Sequence, residues 1–220
     1  MLRDYTVTLT GKMPLLMHAD NIDWADEMAA WQGDPSHKKQ SKAGDDRTPA
    51  YRWLGSLYHD GKVIGLPLDN LMRAFMEGGA MVPVPGGRSG KTFKSQTQSG
   101  MLVQGGHWPL LVGGKAIDVQ PILALRNEPD FAAHRQFVAT KGFSLFLKRA
   151  RIGQNKHVRV RPMFEQWSAV GVVQVWDDQI TVAALASIVT YAGLYKGIGD
   201  WRPGTEKKPG PFGMFSAVVK

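Results

Sequence analysis

The sequence contains no cysteine among its 220 residues, which excludes disulfide bonds and thiolate metal sites. It also contains no apolar run of about 18 residues, the length that a helix needs to cross a membrane. The N-terminal residues 1–10 alternate polar and apolar positions and lack the apolar core of a signal peptide. These absences predict a cytoplasmic protein that makes no membrane contact.

Acidic residues are scarce in the middle of the chain. Residues 78–164 carry 13 Lys/Arg and 3 Asp/Glu, whereas residues 1–77 carry 9 and 11 and residues 165–220 carry 5 of each. The net charge of +8 therefore arises in the middle. Such an asymmetry indicates an anionic partner, most often nucleic acid, and the alternative is a basic surface that serves only solubility.

The hydrophobic pattern predicts an α+β protein. Residues 4–10 alternate as a strand does, and helical periodicity follows Pro67 and recurs over 181–195. Other strands are predicted at 110–112 and 117–125, with Gly113-Gly114 as a tight turn between them, and at 167–176 and 212–219. A hairpin is predicted over 51–66, turning at His59–Lys62, and short helices at 24–31, with Asp23 as the N-cap, and at 128–135. Two helices separated by antiparallel strands favour an antiparallel sheet with both helices on one face.

Three segments are expected to be insertions into a single domain that spans residues 1–220. Residues 33–50 and 83–106 are rich in polar residues and glycine, so both are predicted to be loops. The third insertion, residues 141–161, contains seven Lys/Arg and no Asp/Glu. Its alternation predicts a long hairpin that turns at Gly153–Lys156.

The basic hairpin is the first candidate for chemistry. Odd-numbered positions in a strand share a face, so we expect Arg149, Arg151, Arg159 and Arg161 to project together. Guanidinium groups pair well with phosphate oxygens, and Phe143, Phe146 and His157 lie among them as candidates for stacking on bases. The alternative is an ordinary amphipathic hairpin whose aromatic residues belong to the core.

A glycine-rich turn between the last helix and the last strand is the second candidate. It comprises Gly197-Ile198-Gly199-Asp200-Trp201-Arg202-Pro203-Gly204 and Gly210-Pro211-Phe212-Gly213. Glycines let backbone N–H groups approach a phosphate closely, and the alternative is a flexible connection. The turn follows a helix, so it is not a dinucleotide-binding fingerprint, and it lacks the Gly-Lys-Ser/Thr ending of a P-loop.

This turn resembles the C-terminal glycine-rich loop of the RAMP superfamily, and the chain is similar to the backbone subunits of CRISPR effector complexes. The opening strand with residues 14–18, Arg159-Val160-Arg161-Pro162 and residues 199–203 carry the resemblance. It covers about the first 20 and the last 60 residues. It implies a ferredoxin-like, RRM-like domain whose basic hairpin grips a guide RNA.

The resemblance also implies the partners. These are guide RNA and a complementary target strand, copies of the same chain and other effector subunits, with no cofactor or metal. The candidate RNA-binding residues are Lys141, Lys148, Arg149, Arg151, Lys156, His157, Arg159, Arg161, Arg88, Lys91, Lys94, Gly197, Gly199, Trp201 and Arg202.

Two other functions stay open at this stage. The acids after the first strand, Asp20, Asp23 and Asp26, suit Mg²⁺, and in related backbone subunits an Asp in this region acts with a metal to cleave RNA. On that alternative, Asp20 or Asp23 is catalytic and the chain is a metal-dependent ribonuclease. A structural protein of a phage or mobile element, without a nucleic-acid partner, is the second alternative. The preferred hypothesis is a binding protein and not an enzyme.

Overall fold

A computed structural model describes residues 1–40, 47–87, 90–152 and 155–220. The strands are β1 Arg3–Gly11, β2 Leu15–Leu16, β3 Gly65–Pro67, β4 Met101–Val103, β5 His107–Val112, β6 Lys115–Ala116, β7 Ser144–Ile152, β8 Asn155–Phe164, β9 Ser168–Val175 and β10 Phe215–Val219. The α-helices are α1 Ile22–Gly33, α2 Leu68–Gly79, α3 Lys94–Ser99, α4 Gln120–Leu123, α5 Phe131–Thr140 and α6 Val182–Tyr191. None of the described helices is long and apolar enough to cross a membrane.

The core elements follow one another as β1, α2, β4 with β5, β9, α6 and β10. The main sheet has the order β10-β1-β9-β5-β3, β4 also pairs with β9, and each of these pairings is antiparallel. With β4 and β5 taken together as the second core strand, the order is fourth, first, third, second. That order is the ferredoxin-like arrangement of two interleaved strand-helix-strand units. The predicted α+β class is therefore confirmed.

The two core helices pack tightly against each other and against the sheet. Helix α2 buries Leu71 and Phe75, and the Phe75 ring lies 6.1 Å from the ring of Trp108 in β5. A Cβ atom at Gly78 would stand 2.4 Å from the carbonyl oxygen of Ile188 in α6. Only glycine therefore permits this close crossing. The helices predicted after Pro67 and at 181–195 are confirmed, although the second one ends in a π-helical turn over Ala192–Lys196.

Strand β1 also confirms its sequence pattern. Val7 and Leu9 are buried on one face, whereas Thr6 and Thr10 on the other face are exposed. Because β1 pairs with β9 on one side and with β10 on the other, the N-terminal strand lies inside the sheet. The strands predicted at 167–176 and 212–219 are β9 and β10.

The expected loop over residues 83–106 is wrong for its second half, where α3 and β4 form. Phe93 is 1 % exposed and Thr97 is fully buried. The Thr97 hydroxyl donates to the carbonyl oxygen of Phe93, which satisfies it inside the protein. A polar composition therefore concealed a segment that packs beside Gly79 of α2 and adds a strand to β9.

Other local predictions needed correction as well. The first arm of the hairpin predicted at 51–66 is a 3-10 helix over Ala50–Ser56, and the turn is retained because the Asp60 carboxylate accepts from the N–H groups of Lys62 and Val63. Helix α1 is capped by Asn21 and not by Asp23, since the Asn21 side chain accepts from the N–H of Trp24. Helix α5 begins three residues later than predicted. A 3-10 turn over Pro35–His37 lies within the expected loop at 33–50.

Candidate nucleic-acid interface

The basic segment forms a long hairpin in a second, three-stranded sheet of order β2-β8-β7. Strands β7 and β8 pair continuously from Ser144 with Met163 to Ile152 with Asn155, so the predicted hairpin is confirmed. Of the predicted turn, Asn155 and Lys156 belong to β8, while Gly153 and Gln154 lie outside the described residues.

The hairpin register separates arginines that we expected to share a face. Each pair of facing residues has numbers that add to 307, so an odd position in β7 faces an even position in β8. The prediction of one common arginine face is therefore wrong. We call one face the loop-side face, with Phe146, Lys148, His157, Arg159 and Arg161. The other is the far face, with Leu145, Leu147, Arg149, Val158 and Val160. In the backbone register Arg151 pairs with Lys156.

The far face is partly a core surface. Leu145 and Val160 are buried near the base of the hairpin, whereas Arg149 is exposed farther out. Phe143, just before β7, is 4 % exposed and its ring stacks on Phe164 with 4.7 Å between centroids. Phe143 is therefore a core residue and is not accessible to a nucleobase.

The loop-side face packs against the glycine-rich turn through aromatic rings. Phe146 lies 5.4 Å from Phe212, and Phe212 lies 5.3 Å from Trp201, between ring centroids. The Lys148 ammonium lies over the Trp201 ring, and desolvation there lowers the pKa of Lys148. Trp201 has a φ of 49°, in the left-handed region that non-glycine residues rarely adopt. The contacts thus hold the indole ring beside the basic hairpin.

Arg161 is joined to the turn by an ion pair. Its Nε donates to a carboxylate oxygen of Asp200 at 3.3 Å, and its Nη2 lies 3.2 Å from Nε2 of His18. Burial lowers the pKa of His18, the Arg161 guanidinium lowers it further, and Asp200 raises it. No sequence pattern predicted a role for His18 or Asp200. Both stood inside quoted motifs, but the sequence shows no signal that they meet.

Arg202 is held in a similar way on the other side of the turn. Its Nη1 donates to the carboxylate of Glu77 in α2 at 3.1 Å and to the carbonyl oxygen of Lys196 at 3.1 Å. Its side chain is 16 % exposed. Arg202 therefore fastens the turn to the core helices, and Arg161 fastens it to the hairpin.

The glycines of the turn serve close packing of the backbone. Gly199 has a φ of 80°, and a Cβ atom there would stand 2.3 Å from the carbonyl oxygen of Leu16 in β2. The N–H groups of Asp200 and Ile198 donate to Leu16 and Gly213, and the N–H of Gly197 donates to Ala192. The predicted approach to a phosphate is therefore replaced, for these N–H groups, by hydrogen bonds within the protein.

The remaining candidates lie away from the loop-side face. Lys141 follows α5 at the base of the hairpin, with its Nζ 5.3 Å from the Phe137 ring centroid. Lys91 precedes α3 and Lys94 is its first residue, both are exposed, and Arg88 lies outside the described residues. Asp20 and Asp23 are exposed, and no group of three His, Asp or Glu side chains in the described parts of the chain is arranged to hold a metal ion.

No protein-family model matches the chain, and no curated protein matches it. Among solved structures, the crystal structure of Cmr6 from Pyrococcus furiosus is similar over 99 % of each chain, with a TM-score of 0.38 and 10 % sequence identity.

Proposed function

We propose that this chain is a guide-RNA-binding backbone subunit of a CRISPR effector ribonucleoprotein, and that copies of it assemble side by side along the RNA with other effector subunits. Two features support the proposal. The first is the ferredoxin-like strand order, and the second is a glycine-rich turn that follows the last core helix and packs on a basic hairpin. The activity proposed is binding, without catalysis.

The observation that carries the proposal is a like-charge pair on the loop-side face. Lys148 in β7 faces Arg159 in β8 directly, and like charges in this position destabilise a sheet. Within the described parts of the chain, neither side chain is within ion-pair distance of a carboxylate. A polyanion laid along this face would relieve the repulsion. Trp201, beside Lys148, is an aromatic side chain of the kind that stacks on bases.

Binding of this kind should be largely electrostatic and independent of RNA sequence. Each phosphate neutralised by Lys or Arg releases a counterion, so the affinity should fall steeply between about 50 and 200 mM salt. An RNA that co-purifies with the protein and has a uniform length would support the guide-RNA part of the proposal. Its sequencing would identify it as a guide.

A comparison of Arg159→Glu with Arg149→Glu tests the site. Both changes reverse one charge on the same hairpin, but Arg159 lies on the loop-side face and Arg149 on the far face. A charge-assisted contact contributes about 1.5–3 kcal/mol, so we expect Arg159→Glu to weaken binding of a labelled single-stranded RNA about tenfold or more. Fluorescence anisotropy measures the affinity.

The matched control decides between the two faces. Arg149→Glu should weaken binding clearly less than Arg159→Glu, and circular dichroism should show that both variants are folded. Equal losses in the two variants would contradict the assignment to the loop-side face. A wild-type protein that binds no RNA even at low salt would contradict the proposed function itself.

A further inference from the structure

The carboxylate of Asp200 accepts hydrogen bonds from two donors of the kind that proteins direct at phosphate. One of its oxygens accepts from Nε of Arg161 at 3.3 Å, and the other accepts from the backbone N–H of Trp201 at 2.9 Å. A guanidinium group together with a backbone N–H is a common donor set for a phosphodiester oxygen. Asp200 thus fills a position that suits a phosphate, next to the loop-side face.

We propose that Asp200 occupies a phosphate subsite, and that a bound RNA strand displaces its side chain and places a phosphodiester oxygen against Arg161 and the Trp201 N–H. This inference rests on the proposed function, because the phosphate belongs to the RNA on the loop-side face. Asp200 therefore competes with RNA and limits the affinity of the RNA-free protein.

The contacts around the ion pair determine which partner moves. The Arg161 side chain is 14 % exposed, donates to the carbonyl oxygen of Val160 at 3.1 Å and lies beside His18, so it is held in place. The Asp200 side chain is 36 % exposed, so water and anions reach it. The N–H of Asp200 donates to the carbonyl oxygen of Leu16 at 2.9 Å. Rotation of the Asp200 side chain therefore frees the subsite while the backbone stays bonded to β2.

The exchange has a distinctive charge balance. In the wild-type protein a phosphate at this subsite replaces the negative charge of Asp200 beside Arg161. Its binding therefore adds no net neutralisation of RNA phosphate by the protein. Asp200→Asn removes the charge from beside Arg161 while its amide oxygen can still accept from the Trp201 N–H. The phosphate is then neutralised by Arg161 without a charged competitor. One more counterion is released, which steepens the logarithmic salt slope by about 0.7 for a single strand.

Asp200→Asn and Asp178→Asn form a matched pair for the test. Both remove one carboxylate charge, but Asp178 is 82 % exposed, pairs with Arg3 and the N-terminus, and follows the end of β9 opposite to the end that β8 leads into. The probe is a labelled single-stranded RNA, and anisotropy is measured over a series of salt concentrations. We expect Asp200→Asn to bind about fivefold more tightly than the wild type, as expected when a partly exposed ion pair worth ~1 kcal/mol no longer competes. Asp178→Asn should match the wild type closely.

The outcomes separate this inference from the proposed function. Tighter binding and a steeper salt slope in Asp200→Asn alone support the inference. Unchanged or weaker binding in Asp200→Asn, with thermal unfolding that matches the wild type, overturns it while RNA binding stands. If Asp200→Asn unfolds early, Asp200→Ser provides the same charge removal with a hydroxyl that accepts from Trp201, and the same comparison decides. Absence of RNA binding in all of these proteins overturns the proposed function and this inference with it.

Discussion

The core and the hairpin arm of this protein contain antiparallel strands of similar length but differ in what covers them. In the core, β1, β9 and β10 are covered by α2 and α6, and the interface is filled by apolar side chains. In the arm, β7 and β8 present basic residues on both faces, and one face meets a turn rather than a helix. The difference indicates that the core contributes most of the stability, while the arm is the region that we propose binds RNA.

The glycine-rich turn joins these regions through polar and close-packing contacts, in addition to the buried side chains at the base of the hairpin. Gly199 packs against β2, and Asp200 pairs with Arg161 of β8. Polar contacts of partly exposed groups contribute little to the free energy of unfolding compared with buried aromatic rings. Substitutions in the core, at the junction and on the arm should therefore have effects of decreasing size on stability.

The largest effect on stability should come from Phe75→Ala. The Phe75 side chain is fully buried between α2 and the sheet, so its removal should lower the free energy of unfolding by about 3–5 kcal/mol. Urea denaturation followed by circular dichroism measures the loss. Leu194→Ala, at a side chain that is 42 % exposed, is the control and should cost less than about 1 kcal/mol. Loss of RNA binding while Phe75→Ala is still folded would show that core and arm are not separable.

Gly199→Ala should produce the next largest effect. A Cβ atom there meets the carbonyl oxygen of Leu16 in addition to the cost of a φ of 80°, whereas Gly114, with a φ of 77°, has nothing within 4 Å of its Cβ position. Gly114→Ala therefore measures the backbone cost alone, about 1 kcal/mol, and Gly199→Ala should exceed it by about 1–2 kcal/mol. Urea denaturation measures both. Equal losses of unfolding free energy in the two variants would show that the turn moves to accommodate the Cβ atom. The close contact between Gly199 and Leu16 would then not contribute to stability.

A smaller, pH-dependent effect should come from His18. Its pKa in the folded protein lies below the ordinary value of 6.5, so the unfolded chain binds its proton more readily. The stability associated with neutral His18 is complete above pH 6.5 and is lost as the pH falls through the lower folded-state pKa. His18→Gln should therefore flatten the pH dependence of the unfolding free energy in that window. Some dependence should remain, because burial also lowers the pKa of His59. An unchanged curve would contradict the lowered pKa.

Periodicity was a reliable guide wherever one face of an element is buried. It predicted β1, α2 and α6, because alternation at two residues or at 3.6 residues determines which side chains face the core. It failed at α3, where Thr97 and Gln96 are buried without an apolar pattern. Polar side chains that hydrogen-bond to the backbone inside the protein, as the Thr97 hydroxyl does to the Phe93 carbonyl, leave no periodic signal.

The candidate site was predicted only in part for a related reason. Alternation determines which residues share a face within β7 or within β8. Which residues of β7 share a face with which residues of β8 depends on the pairing register. An even number of residues between paired positions makes the sum of paired numbers odd, which places Arg149 and Arg159 on opposite faces. The predicted turn of four residues, Gly153–Lys156, already implies that odd positions of the two strands lie on opposite faces. The partners Asp200 and His18 were beyond reach, since they lie 39 and 143 positions from Arg161 in the chain.

The sequence by itself determined the α+β class, the basic hairpin and the concentration of positive charge, because composition and alternation act locally along the chain. Only the tertiary structure decided which cations share a face and that Arg161 and Arg202 are held by carboxylates. It also decided that Gly199 of the turn packs closely against the carbonyl group of Leu16. These features depend on distances between segments that are far apart in the chain, and folding brings those segments together through the packing of the core.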